Sequence, residues 1–191
     1  MAQGYVRPAG PQDAGEIARI QLTTWQVAYR RLLPRQVIDS LDVTLLTERW
    51  QDSIESPPTP RHRVLVAVEQ AAASYLVGFA AAGPADDQAL APDETPDTLG
   101  PDVAAVTELL VEPRWGRRGH GSRLLAAAVD LWREDMFGTA IAWTYEADPA
   151  MRKFFGSAGW EPDGASRAID VDDLLIPQLR LHVSLADAPL G

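Results

Sequence analysis

The ten residues from Arg114 to Arg123 hold four arginines and three glycines. An apolar run containing Ala104, Ala105, Val106, Leu109, Leu110 and Val111 precedes them and stops at Pro113. A helical pattern follows from Ser122. Strand, Gly/Arg loop and helix in that order make an anion site. Glycines let the backbone approach the anion, the open N–H groups of the first helical turn point at it, and the helix dipole favours negative charge there. The arginines add charge-assisted hydrogen bonds. The chemistry this offers is the binding of a phosphate-bearing ligand.

The spacing argues against two common phosphate motifs. A Walker loop has Lys after its last glycine, where Ser122 stands. A dinucleotide fingerprint has glycine where Leu124 stands, and no early βαβ unit precedes the loop. Residues 116 to 121 instead resemble the pyrophosphate loop of the GNAT N-acetyltransferases, Gln/Arg-x-x-Gly-x-Gly/Ala between a strand and a helix. Gly119 and Gly121 take the two glycine places. Gly116 stands where Gln or Arg is usual, and Arg117 and Arg118 keep the loop basic.

A second stretch supports the resemblance. The family pattern Asn-x-x-Ala-x-x-Phe-Tyr-x-x-x-Gly-Phe is similar to Asp148, Met151, Phe154, Phe155, Gly159 and Trp160. Two polar places differ: Asp148 replaces Asn, and Phe155 replaces the Tyr that often protonates the leaving thiolate. Near the N-terminus, Trp25 and Tyr29 with Leu33-Pro34 form a pattern common in small bacterial members.

The elements needed to position these residues can be read along the chain. Strands are expected at Tyr5–Pro8, Val64–Val68, Tyr75–Ala81, 103–112, Thr139–Tyr145, Ser166–Val171 and Leu179–Leu185. Glu69–Ser74 and Asp172–Pro177 are expected to be connections. Helices are expected from Pro11 to near Pro34, over 35–55, over 121–135 and from Pro149 to Gly159. Leu124, Leu125, Ala128, Leu131 and Trp132 give the third of these an apolar stripe. Leu45, Leu46, Arg49 and Trp50 fall on one turn set of the second. The segment 84–102, with four prolines, six acidic residues and no basic one, is expected to be a long, flexible surface loop. The order matches the GNAT acyl-CoA N-acyltransferase fold over residues 4 to 186. That is an α/β (α+β) fold with a mixed sheet of about 6–7 strands, about 4 helices and splayed central strands. Residues 1–191 are expected to form one domain.

The resemblance implies acetyl-CoA, or another acyl-CoA, as cofactor. It places Leu109, Leu110 and Val111 along the pantetheine arm, with the strand around Leu110 and Val111 supplying the N–H groups that polarise the thioester carbonyl. Arg114, Gly116, Arg117, Arg118, Gly119, His120, Gly121 and Ser122 lie at the diphosphate, with His120 acting through its backbone N–H. Asp148, Phe154 and Phe155 also contact the cofactor. Trp25 and Tyr29 line the acceptor. Glu108 becomes the candidate base and Tyr145 a candidate proton donor to the thiolate, with Glu146 and Asp148 as lesser bases and Glu112 as structural. The expected reaction is direct acetyl transfer to a primary amine of a small molecule or peptide. With no cysteine in the chain, no thiol-borne enzyme intermediate forms. The alternatives are a non-catalytic acyl-CoA-binding regulatory module and a nucleotide-phosphate binder of other chemistry.

Composition sets the outer bounds. At 191 residues, 46% hydrophobic and 23% charged, the chain reads as a globular protein. No apolar run approaches the roughly 20 residues of a membrane span. A net charge of −10 disfavours nucleic acid and anionic membranes and suits a cationic substrate such as an amine. Sixteen arginines against the single Lys153 suggest a GC-rich bacterial genome. His62, His120 and His182 share no metal spacing, so no metal is expected. Cytoplasm is the default location, and a homodimer through the C-terminal strands is left open.

Overall fold

A computed structural model describes residues 3–186. Seven strands are present: β1 (Gln3–Pro8), β2 (Arg63–Gln70), β3 (Ser74–Pro84), β4 (Val103–Val111), β5 (Thr139–Tyr145), β6 (Glu161–Val171) and β7 (Leu174–Ser184). The described residues hold six helices: α1 (Ala14–Ala28), α2 (Arg35–Asp39), α3 (Val43–Glu55), α4 (Pro96–Leu99), α5 (His120–Glu134) and α6 (Pro149–Ser157). The strands form one mixed sheet in the order β1-β2-β3-β4-β5-β7-β6. β4 and β5 pair in parallel, whereas the β1–β2, β2–β3, β5–β7 and β6–β7 pairs are antiparallel. None of the described helices is long and apolar enough to cross a membrane.

Six helices replace the expected four, for local reasons. The 35–55 stretch breaks because Asp42 caps α3, its side chain accepting from the Thr44 N–H at 2.7 Å. Leu46 is buried there, whereas Leu45 faces solvent. The segment 84–102, read from sequence as loop, contains a 3-10 turn at Asp87–Ala89 and the short helix α4. Pro96 sits at the start of α4, after Thr95 as its cap. The connection after β6 is a two-residue turn rather than Asp172–Pro177. Asp172 and Asp173 both take left-handed φ, 54° and 64°, as a tight hairpin requires. Likewise β2 and β3 pair as far as Gln70 and Ser74, so only Ala71–Ala73 connect them.

The chain divides into two compact units. The first is Met1–Ala82 with Glu108–Ala128, and the second is Gly83–Thr107 with Val129–Gly191. In the first, α1 buries Ala14, Ile17, Ala18, Ile20, Gln21 and Thr24, the helical spacing seen in the sequence. Gln21 accepts a hydrogen bond from the Trp50 indole at 2.8 Å, and Trp50 meets Phe79 edge-on at 4.9 Å. In β2 a continuous buried run, Leu65–Glu69, marks a strand covered on both faces. In the second unit, Phe155, Trp160 and Trp132 form an aromatic chain with centroids 4.8 and 6.5 Å apart.

The middle of the sheet carries the feature that matters for chemistry. The parallel β4–β5 register runs from Val103↔Thr139 to Val106↔Ala142 and stops there. On the other edge, Ala85 N–H donates to Val103 O and Glu112 N–H donates to Val77 O, an antiparallel sense. Eight positions separate Val77 from Ala85, while nine separate Val103 from Glu112. The extra residue in β4 is the signature of a β-bulge, which redirects a strand and its side chains.

Candidate active site

Within the first unit, β4 leads into the anion loop. Pro113–Trp115 form one 3-10 turn, residues 116–119 are exposed, and α5 begins at His120, slightly before the expected start. Arg117 (φ 62°) and Gly119 (φ 80°) are both left-handed, so the backbone folds tightly before the helix. The first intrahelical bond is Arg123 N–H to Gly119 O at 3.0 Å. The N–H groups of His120, Gly121 and Ser122 therefore have no carbonyl to meet within the helix.

Arg114 and Arg118 of the loop are held rather than loose. Arg114 Nε lies 2.9 Å from Glu112 Oε1, and Glu112 also takes both ends of Arg19 at 3.2 Å. Glu112 itself is buried between these two arginines. The guanidinium of Arg118 sits 4.8 Å above the Trp115 ring, and Tyr75 covers that ring with centroids 5.8 Å apart. About half of Arg118 remains exposed, so charge still faces solvent beside the helix start.

His120 does more than its sequence position suggested. Its ring is buried, with Nε2 3.1 Å from Glu69 Oε2, close but off the line of a hydrogen bond. Nδ1 lies 3.1 Å from Arg123 Nη2. Burial lowers the imidazole pKa, the charge of Arg123 lowers it further, and Glu69 opposes them. The buried His120 ring thus packs the first turn of α5 against Glu69 of β2. Glu69 and Arg19 were invisible to motif reasoning because their partners are remote in sequence. Gly78 did carry a signal, a glycine inside a strand. A Cβ there would stand 2.8 Å from Leu110 O, so glycine is what lets β3 approach β4.

Glu108 lies on β4 in the same unit and is partly exposed. Loss of water around the carboxyl pushes its pKa up to about 7. The Trp25 indole N–H faces it and pulls weakly the other way, without closing to a hydrogen bond. The expected acceptor-lining Trp25 thus meets the expected base. Tyr29 is buried just past the end of α1, its ring 6.5 Å from that of Trp25. Beyond Glu108, Leu110 and Glu112 turn their backbone groups toward β3. By strand alternation, Leu109 and Val111 present theirs on the opposite edge. The donors on that edge are therefore Leu109 and Val111, and Leu110 is not one of them.

The remaining sequence candidates lie in the second unit. Asp148 caps α6, its Oδ1 accepting from Met151 N–H at 3.0 Å. Phe155 is 3% exposed and packed between Phe154 and Trp160, which makes it a core residue. Tyr145 ends β5 and Glu146 is exposed beyond it. His62 Nδ1 pairs with the Thr59 hydroxyl at 2.9 Å, and His182 lies in β7 opposite Ile141. Among the described residues no group of His, Cys, Asp and Glu could hold a metal.

Comparison with known proteins gives the family and the fold. The sequence pattern of the Acetyltransferase (GNAT) family matches residues 22–160. The chain belongs to that family of N-acetyltransferases. It is similar to YuaI of Bacillus subtilis (strain 168), an uncharacterized N-acetyltransferase, at 25% identity over 76% of this chain and 74% of that one. Its fold is similar to that of yncA from Salmonella typhimurium, solved with its cofactor acetyl-CoA (TM-score 0.67, 15% identity, 97% and 96% of the two chains). It is also similar to ribosomal-protein-alanine N-acetyltransferase from Brucella melitensis (TM-score 0.68, 18% identity, 94% and 98%). The loop residues fit the CoA diphosphate: three open helix N–H groups follow an exposed Gly/Arg backbone, and Arg114 and Arg118 of the same loop are held in place.

Proposed function

We propose that this enzyme transfers an acetyl group directly from acetyl-CoA to a primary amine of a small molecule or peptide, with Glu108 as general base. The observation that carries the reading is the Glu108 carboxyl on β4, with a pKa of about 7, in the unit that also holds the anion loop. A base poised near neutral pH is half ionised there and can still accept a proton.

Acetyl-CoA supplies the acyl carbon as a thioester: the amine nitrogen bonds to that carbon, the C–S bond breaks, and CoA leaves as thiolate. Glu108 takes the proton that the ammonium must lose before it can attack. Leu109 and Val111 offer backbone N–H groups to the carbonyl oxygen. The N–H groups of His120, Gly121 and Ser122 and the side chains of Arg114, Arg117 and Arg118 hold the diphosphate. Buried Phe155 cannot donate a proton, so the thiolate departs without help from that position. A thiol pKa near 8–9 makes that tolerable.

Titrating acetyl-CoA calorimetrically, with adenosine as control, tests the cofactor half of this reading. Released CoA is then followed with a thiol-reactive dye over an amine panel, undisturbed because the protein has no cysteine. One-to-one binding with amine-dependent CoA release supports the enzyme reading. Binding without release from any amine would favour the regulatory-module alternative.

A further inference from the structure

The second unit contains a cavity of about 120 Å³ to which the transfer chemistry above assigns no role. All of its lining residues belong to that unit. Part of the lining is apolar: Ala89, Ala105 and Ile141 are each buried and pack together. The rest includes Trp143 of β5, Arg167 of β6 and Gln178 of β7.

The guanidinium of Arg167 is held by three contacts. Its Cζ lies 4.1 Å from the centre of the Trp143 ring, its Nε donates to Gln178 Oε1 at 2.8 Å, and Nη1 donates to the Gln88 carbonyl. The Trp143 indole N–H donates to Ala89 O at 3.0 Å, so the ring beneath the cation is itself anchored. A guanidinium has five N–H donors, and the two hydrogen bonds use two of them. Among the described residues no carboxylate pairs with Arg167. Arg180 takes the nearby ones instead, Glu94 at 2.5 and 2.6 Å and Asp163 at 2.6 Å. Asp86 also lines the cavity, but it is exposed and its Oδ1 accepts the Gln88 N–H at 2.9 Å. Burial lowers the Arg167 pKa and the charge of Arg180 lowers it further, against a smaller pull from Tyr145.

These features define a ligand. A fixed guanidinium with unused coplanar donors suits a carboxylate, which it can take bidentately. The buried apolar lining calls for a hydrocarbon part on the same molecule. A dry cavity of roughly 150 Å³ accepts benzene, so this one holds something slightly smaller. A dianion such as phosphate would place its second charge near Asp86 with no second cation to meet it, because Arg180 is already paired. We propose that the cavity is a binding site for a short-chain monocarboxylate of roughly two to four carbons, with Arg167 on the carboxylate and the tail against Ala105 and Ile141. The site lies within the second unit alone and is independent of the amine-transfer reading.

Propionate and propionamide, each titrated into the full chain, test this. Binding is read from the Trp143 indole N–H signal in nitrogen-correlated proton NMR spectra, assigned by its loss in Trp143→Phe. Propionate should move that signal saturably, with propionamide weaker by about tenfold or more. Inorganic phosphate should bind more weakly than propionate. Arg167→Gln should bring propionate down to the level of its amide and leave the amide unchanged. Arg167→Lys, which keeps the charge but loses the fork, should fall between them. Circular dichroism and the melting temperature check that each variant is folded. If Arg167→Gln does not fold, the acid and amide titrations of the wild type and of Arg167→Lys still decide. Equal affinity for acid and amide, an Arg167→Gln protein that still prefers the acid, phosphate binding tighter than propionate, or no saturable shift would each overturn the proposal.

Discussion

His120 Nε2 stands 3.1 Å from Glu69 Oε2, which brings the first residue of the anion-binding helix against β2. The helix N–H groups can serve a diphosphate only if that turn is held in place. His120→Ala leaves Glu69 buried without this partner and should cost about 1–3 kcal/mol of stability. It should also weaken acetyl-CoA binding. Chemical denaturation and calorimetry read the two effects, and unchanged cofactor affinity would show that the clamp does not position the loop.

Gly121 lies in the first turn of α5, where the loop offers its open N–H groups. Gly121→Glu should abolish acetyl-CoA binding, because a side chain and a negative charge would enter the diphosphate position. Gly119→Ala is a milder test. Its φ of 80° costs an L-residue roughly 1 kcal/mol. Retained tight binding by Gly121→Glu would place the cofactor elsewhere.

Arg180 is 6% exposed and gripped by two carboxylates, which pins the 84–102 segment through Glu94. Arg180→Met should cost about 1–3 kcal/mol, since it leaves the partly exposed Glu94 and Asp163 carboxylates without their cation. A melting temperature equal to that of the wild type would show that the pair contributes nothing net.

Phe155→Tyr, which restores the family's usual residue, should not raise the rate. The ring is 3% exposed in an aromatic cluster, so the added hydroxyl would be buried without a partner. A stability loss of about 1–3 kcal/mol is expected. A clear rise in kcat would mean that the ring reaches the thiolate after all.

These predictions draw unequally on the sequence. Pro113, the loop glycines and the stripe Leu124, Leu125, Ala128 and Trp132 made β4, the loop and α5 legible, because punctuation and periodicity are local signals. Thr139–Tyr145 was readable to the residue for the same reason. The 84–102 segment was misread because its order comes from Glu94 and Arg180, 86 positions apart. The Asp172-Asp173 turn lacked the Asn-Gly signature that usually marks left-handed pairs. Glu108 was found through the family resemblance, but the desolvation that tunes it comes from tertiary burial that no spacing reveals. The β4 bulge and the role of Gly78 likewise appear only when β3 and β4 are laid side by side.

The raised pKa of Glu108 also acts on stability. Folding holds the carboxyl in its neutral form up to about 7, against an ordinary value of 4.5. Below the ordinary value both states are protonated and the group contributes nothing. Between that value and 7 the unfolded chain ionises first, so stability falls as pH rises. By linkage the loss reaches at most about 3 kcal/mol above pH 7. Glu108→Gln should therefore be more stable than the wild type in alkaline buffer and equal to it near pH 4. A pH-independent difference would mean that the carboxyl is not desolvated.

The pH dependence of kcat/KM for acetyl transfer, in the wild type and in Glu108→Gln, tests the central claim most directly. The wild-type rate should climb with pH through an apparent pKa near 7. Glu108→Gln should lose that limb and fall by about 10²–10⁴-fold while still binding acetyl-CoA. A variant that keeps the wild-type rate and the same pH limb would contradict the assignment of Glu108 as the base.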